Sequence, residues 1–286
     1  MFLSEVHLYS EPRCRSVDFQ ELSSYVKGLL PRTRVMLAGP IQEEYFDGFE
    51  SSIRAGVVKQ MAVSLAQAKV KALEEPVPDE QSVLAGEVAY EQRRLEDRKN
   101  EVFGLIYDAH ILSAIYGSLI SAEKSRIEHL HVIFTNQLIG TWDMADRRYH
   151  ARTVLCGSPS IVSLSGITIA PAKDTGFYIA RRSAEAFGFA EEEKMEVASG
   201  YAGDSLSLDD PRLTEVAKGY VAQALAHRLS GDAFCSDPDC RLYNAHRQRE
   251  LIRAQLDSDS EYCGMHEELF NRQARTDGGQ WTSDCT

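Results

Sequence analysis

Two short cysteine spacings constrain this 286-residue chain more than any other feature it contains. Cys235-Ser-Asp-Pro-Asp-Cys240 sets two thiols across a proline-containing turn, and Cys263-Gly-Met-His266 adds a thiol and an imidazole around a glycine-bearing spacer. Spacings of this kind let four side chains converge on one tetrahedral ion, with each sulfur at about 2.3 Å from the metal. The intervening Asn244 to Leu256 reads as one helix that carries the second half of the set back to the first, with Asn244 as its N-cap. Thiolates plus an imidazole are the donor set of structural zinc, which staples a fold and leaves no open position for water or substrate. Three buried thiols beside a surface histidine are the plainer alternative, but that does not account for paired spacings on both sides of a helix. Cys14, Cys156 and Cys285 lack such spacing and read as isolated thiols.

Six cysteines are too few to scaffold a chain of this size through disulfides, so the clustered ones point to metal ligation in a reducing cytoplasm. A formal net charge of -12 repels a polyphosphate backbone, which argues against a nucleic-acid partner. No apolar run approaches the roughly 18 residues of a membrane span, and Glu5 and His7 interrupt the segment where a signal peptide needs continuous apolar residues. The expectation is a cytoplasmic protein with no membrane partner.

Along the chain, Leu3 to Tyr9 alternates apolar and polar residues as a strand does. Asp18 to Leu30 has helical spacing and stops before Pro31, and Arg34 to Ala38 reads as a second strand, giving a β-α-β opening and an α/β sheet with parallel pairing. Phe46 to Leu73 is apolar at helical intervals, Glu74 to Glu80 reads as a linker, and further helices are expected around Gly86 to Asn100 and over Phe103 to Ser121. Strands are expected at Leu130 to Thr135, Thr153 to Cys156 and Ile161 to Leu164. Ala190 to Ser205 reads as a surface loop or weak helix. Asp209, Asp210 and Pro211 open a long helix that runs to Leu229 and ends at Gly231. Arg275 to Thr286 is polar and expected to fray.

Several other groups carry chemistry. His129 and His131 alternate on a strand, so both face one side, where they either chelate a second ion or sit at a solvated sheet edge. Asp143 to Arg152 reads as a loop between strands: Arg147, Arg148 and Arg152 suit an anion, with His150 as proton carrier, or the segment is an ion-paired turn. Tyr243, Asn244 and His246 follow the second cysteine, where hydrogen bonds supporting the ion are the default role. His227 on the long helix is either a packing residue or a ligand.

The order helix, glycine, Cys-x4-Cys, helix, Cys-x2-His resembles the archaemetzincins, zinc peptidases with the signature HExxHxxGxxHC, then C-x-M and a later C-x-x-C. Gln223 to Cys235 followed by Cys240-Arg241-Leu242 is the matching text. Aligning His227 with the second zinc histidine puts Gln223 at the first, Ala224 at the general-base glutamate and Phe234 at the third histidine. Leu242 stands at the Met-turn methionine, and His266 at the last cysteine. Gly140 to Arg152, Asp209 to Glu215 and Cys240 to His246 are similar to an archaeal family labelled as metallopeptidases. The resemblance implies one α/β domain of metzincin type over 1–286, with a mixed sheet and backing helix in 1–205 and the long helix plus a zinc-stapled subdomain in 206–286. It implies a zinc metallopeptidase-like protein with a degenerate catalytic signature, acting on a peptide or protein. His227, His150 and Arg148 are then the catalytic candidates, and a second, catalytic zinc is an open question. The other reading is an inactive, zinc-stabilised binder of peptides or proteins.

Overall fold

The computed structural model describes residues 2–10, 16–97, 105–201 and 203–275. The alternating run at the start forms β1 (Glu5–Ser10). The Asp18 carboxylate accepts the N–H groups of Gln20 and Glu21, which satisfies the free donors at the start of α1 (Phe19–Leu29). Leu22 and Val26 of that helix are fully buried, and the chain returns as β2 (Arg34–Ala38), parallel to β1. This is the expected β-α-β opening with α1 as the backing helix.

The helix expected over Phe46 to Leu73 is two helices, α2 (Ile41–Phe46) and α3 (Ser51–Gln67). Gly48 N–H bonds the Tyr45 carbonyl in the turn between them. After Gln67 the backbone is recruited by another strand: Val70 N–H bonds the Ile106 carbonyl, and Lys69 bridges to Tyr107. Next comes α4 (Ala85–Glu96). The end of the helix expected to Asn100 and the start of the one expected from Phe103 lie outside the described residues; from Leu105 on, the latter is instead β3 (Ile106–Asp108) followed by α5 (Ala109–Leu119). Asp108 makes the switch by accepting the N–H groups of His110 and Ile111. Glu91 on α4 is wholly buried and takes hydrogen bonds from Lys69, Arg94 and Tyr107 at 2.7, 2.9 and 2.7 Å, which ties the excursion to its base.

The main strand series continues with β4 (His129–Thr135), β5 (Leu138–Asp143), β6 (Arg148–Arg152), β7 (Val154–Leu155) and β8 (Ser160–Ser163). A five-stranded sheet has the order β2-β1-β4-β8-β7, parallel except for β7 at its edge, and a smaller sheet has the order β3-β5-β6. The mixed sheet is the one the resemblance implies. α6 (Leu164–Ile169) and α7 (Thr175–Ala186) follow, and the acidic stretch read as a loop or weak helix contains α8 (Glu191–Ser199), whose Ala198 is buried against Phe177.

Both faces of the larger sheet carry packed apolar side chains. Val6, Leu8, Val132, Phe134 and Val162 pack toward α1 and α9 (Leu213–Ser230), while Tyr9, Ile133 and Ile161 pack toward the side of α2, α3 and α5. Fully burying each such aliphatic side chain contributes about 1.5–3 kcal/mol. The long helix starts at Leu213 rather than Asp209, because Asp210 accepts the Arg212 backbone and guanidinium N–H groups just before the first turn. Gly231, at φ 88°, ends it in the left-handed region as expected. The single helix expected over Asn244 to Leu256 is short: α10 (Gln248–Ile252) runs into a π-helical turn (Arg253–Asp257), and α11 (Gly264–Arg275) follows. Arg247, not Asn244, stands at the cap of α10. Cys14, Cys285 and the chain after Arg275 lie outside the described residues.

Two glycines give opposite predictions. Nothing approaches a methyl placed at Gly28 in α1, so Gly28→Ala should raise stability by about 0.5–1 kcal/mol through the loss of backbone freedom in the unfolded chain. A methyl at Gly219 in α9 would overlap the buried Gln255 amide, so Gly219→Ala should lower stability by about 1–3 kcal/mol. Urea midpoints moving in opposite directions, with slopes unchanged, check both.

Candidate functional site

The helix stop at Gly231 delivers the chain into the cysteine turn. Cys235 N–H bonds the Leu242 carbonyl at 2.8 Å, Cys240 N–H bonds the Asp237 carbonyl at 3.1 Å, and Asp237 N–H points at Cys235 Sγ at 3.4 Å. Gln255, on the π-helical turn, donates to the Arg241 carbonyl, and Arg253 forms a two-pronged pair with Asp239. The turn is thereby held from its own backbone and from the segment that follows α10.

Cys235, Cys240, Cys263 and His266 come together here, each ligand atom within 4.8 Å of the others. Cys235 Sγ lies 3.8 Å from Cys263 Sγ, and His266 Nδ1 lies 3.6 Å from Cys240 Sγ and 3.1 Å from Cys263 Sγ. A regular tetrahedron built from metal–sulfur bonds of about 2.3 Å and metal–nitrogen bonds of about 2.0–2.1 Å has edges of about 3.8 Å between sulfurs and about 3.6 Å between sulfur and nitrogen. The donor set therefore fits a metal ion of this size. Cys240 is fully buried and His266 is 5% exposed. Burial pushes the Cys240 thiol up to about 12 and holds the imidazole of His266 below its usual range. The thiolates need a cation to become the favoured form, so binding is coupled to proton release.

A cleft of about 510 Å³ opens beside this cluster, between the end of β6, the edge strand β7, the C-terminal end of α9 and the segment Asn244 to His246. His227 and Asp232 line it, together with Arg152, Cys156, Phe234 and His246. Gln223 and Ala224 do not, and they are 2% and 0% exposed; Gln223 Nε2 donates to the Tyr243 carbonyl at 3.4 Å. The positions that the resemblance gives to the first ligand and the general base are thus packed into the core. Asn244 and His246 face this cleft rather than supporting the cluster, while Tyr243 pairs its backbone with Cys235. Burial pushes the Cys156 thiol up to about 12, which keeps it protonated at neutral pH.

The segment read as a loop over Asp143 to Arg152 is a β-hairpin: Asp143 pairs with Arg148, and Thr141 with His150. Its tip is shaped by the Asp143 carboxylate, which accepts the N–H groups of Ala145 and Asp146, and by Arg147 at φ 52°. Strand geometry separates the arginines that would have clamped an anion. Arg152 reaches the cleft and donates to Thr141, whereas Arg148 and His150 are not among the cleft's lining residues, and His150 Nε2 sits 2.9 Å from Asp146.

His129 and His131 are not at a sheet edge, since β4 is the central strand. His131 is 2% exposed, and the parallel register places His7 of β1 directly opposite it, their rings stacked at 4.6 Å. Burial lowers His131 to about 4 and lowers His7 as well, so both imidazoles are neutral at neutral pH. Nothing in the sequence around His7 marks it as their partner, because strand register between segments so far apart leaves no local signal.

Metal analysis of the purified chain should find one ion that resists mild chelation. Cys240→Ser should lose that ion and lower the melting midpoint, while Cys156→Ser should keep both at wild-type values; retention of the ion by Cys240→Ser would show that the cluster is not its site.

No helix among the described residues is long and apolar enough to cross a membrane. Searches of the curated proteins and of the solved structures return no match. One family model does match, covering residues 3–273 and so the sheet, α9, the cleft and the cysteine cluster together. The chain belongs to the Probable metallopeptidase family (DUF6775).

Proposed function

We propose that this chain is a zinc-stabilised, metallopeptidase-like protein that binds an extended peptide in the cleft beside β7 without a zinc-hydrolytic centre at the archaemetzincin signature positions. The observation that carries the reading is the burial of Gln223 and Ala224 in the core while His227 alone of that signature's metal-ligand positions keeps a histidine facing the cleft. Zinc hydrolysis needs an acidified water and a nearby carboxylate base. The signature here offers a buried amide and a methyl in the places of a ligand and the base. In this reading the ion held by Cys235, Cys240, Cys263 and His266 is zinc, and its role is to fix the chain after α9 so that the cleft keeps its wall. The thiolates it needs persist in a reducing compartment, which favours the cytoplasm.

Peptide recognition follows from the edge strand. The Thr153 carbonyl takes the Ser163 N–H, so antiparallel alternation turns the backbone groups of Val154 away from β8 and toward the cleft. An extended segment can add to that edge through main-chain hydrogen bonds. His227, Asp232, Asn244 and His246 then supply polar contacts from the opposite wall. The presence of His227, Asp232 and His246 in one cleft is also what favours a hydrolytic reading, in which a rebuilt site holds a second metal.

The test is anisotropy of a labelled degenerate peptide library, with mass spectrometry of the same mixtures for cleavage. Peptides should bind and remain intact, and Val154→Pro should weaken binding about 5- to 10-fold, the worth of one main-chain hydrogen bond, while retaining the zinc. Cleavage that disappears in His227→Ala would replace this reading with the hydrolytic one, and the absence of any binding would overturn it.

A further inference from the structure

We propose that His7, His129 and His131 form a second metal site, on the face of the sheet opposite the cysteine cluster, for a borderline first-row divalent cation such as zinc, nickel or cobalt(II). Parallel pairing sets Glu5 opposite His129 and His7 opposite His131, and strand alternation turns all three imidazoles to the same face. One ring nitrogen from each lies within 4.8 Å of one from each of the others. A tetrahedral ion with bonds of about 2.0–2.1 Å needs nitrogens about 3.3 Å apart, so the stacked rings of His7 and His131 must turn about their side-chain bonds to aim both lone pairs at one ion.

The surroundings are those of ligating histidines. An imidazole bound to metal donates its other N–H to a carboxylate or carbonyl, which fixes the tautomer and ring orientation. His7 Nε2 lies 3.0 Å from the Glu5 carboxylate, and the Lys124 carbonyl accepts from His129 Nδ1 at 2.9 Å and His131 Nε2 at 3.0 Å. Every one of those oxygens only accepts, so each ring keeps its second nitrogen unprotonated, with its lone pair available. On His131 that lone pair takes the Tyr9 hydroxyl at 3.1 Å, a partner that a stronger Lewis acid displaces. Glu5 is itself held by Arg34 at 3.2 Å, so the carboxylate behind His7 is anchored. His7 and His131 are 5% and 2% exposed while His129 is only partly buried, which gives the ion a route from solvent and an open position. Three histidines with an open position are a ligand set that zinc accepts, and imidazole suits nickel and cobalt equally.

The trio Asp143, Asp146 and His150, of which Asp146 is exposed and the other two partly buried, has no comparable surroundings, since its histidine pairs with Asp146 and the Asp143 carboxylate is taken up by the backbone donors of the hairpin tip. The three-histidine site is independent of the peptide-binding reading of the cleft.

The experiment is titration with cobalt(II) of the purified chain after mild chelation, which leaves only the tightly held ion of the cysteine cluster, followed by calorimetry, visible absorption and metal analysis. One additional cobalt per chain is expected, with a ligand-field spectrum free of thiolate charge-transfer bands. Affinity should fall about tenfold or more in both His129→Ala and His7→Gln and stay unchanged in His227→Ala. His129→Ala alters a partly exposed side chain, so its circular dichroism should match the wild type. The proposal is overturned if no ion beyond that of the cysteine cluster binds, if the added cobalt shows thiolate bands, if it persists in both histidine variants, or if it is lost in His227→Ala.

Discussion

Burial of α9 against the parallel sheet is the constraint from which the rest of the site follows. Val216, Ala217, Val221, Ala222, Ala224, Leu225 and Ala226 are all at 0% exposure, so successive turns of this helix are enclosed rather than striped. Small side chains on it let neighbouring segments approach closely: Gly219 leaves room for Gln255, and Gln255 in turn holds the Arg241 carbonyl beside Cys240. Tyr25 of α1 hydrogen-bonds Tyr262 just before Cys263, which ties the backing helix to the other half of the cluster. Only at His227 does the helix come into the cleft, and Gly231 then releases the chain toward Cys235. A helix so thoroughly used for packing has little surface left for catalysis, which is the physical sense of an amide and a methyl at Gln223 and Ala224.

Much of this frame can be read from the chain alone. β1, α1, β2, β4 and β8 carry alternation or periodicity strong enough to survive tertiary context, and the cysteine spacings state their own geometry. The misreadings have a common cause. Ile106 to Asp108 is a three-residue strand inside a longer apolar run, where helix and strand patterns coincide, and only pairing with β5 decides between them. Asp143 to Arg152 looks like a polar loop because its strand β6 carries charges; the hairpin is set by cross-strand bonds and a tip residue in the left-handed region. Asn244 has the chemistry of a cap, yet bonds around the cluster and cleft postpone the helix to Gln248. Sequence shows what a residue prefers locally, and these positions obey partners elsewhere in the chain.

The molecule divides its polar groups between two kinds of place. Some are closed, as at Glu91, where two cations and a phenol surround one carboxylate, and at the cysteine cluster. A buried carboxylate with that many donors is costly to disturb from either side, because removing any partner leaves charge in an apolar setting. Others are open, and the cleft gathers His227, Asp232 and His246 along its walls. Closed groups hold shape and open ones are left for a visitor.

The pairing of β1 with β4 has a consequence for how the chain finds its structure. Ser4 hydrogen-bonds Glu128 across a sequence separation of 124 residues, and β1 with β4 forms the middle of the sheet. β1 and β2 can meet early through α1, but the sheet cannot gain its inner strand until a long intervening stretch has been brought round. Loop-closure entropy is lost before those contacts repay it, so folding should be slow for a protein of this helix content, with the apolar edge of β1 waiting exposed for its partner. Until then that edge is the part of the chain most open to pairing with another molecule.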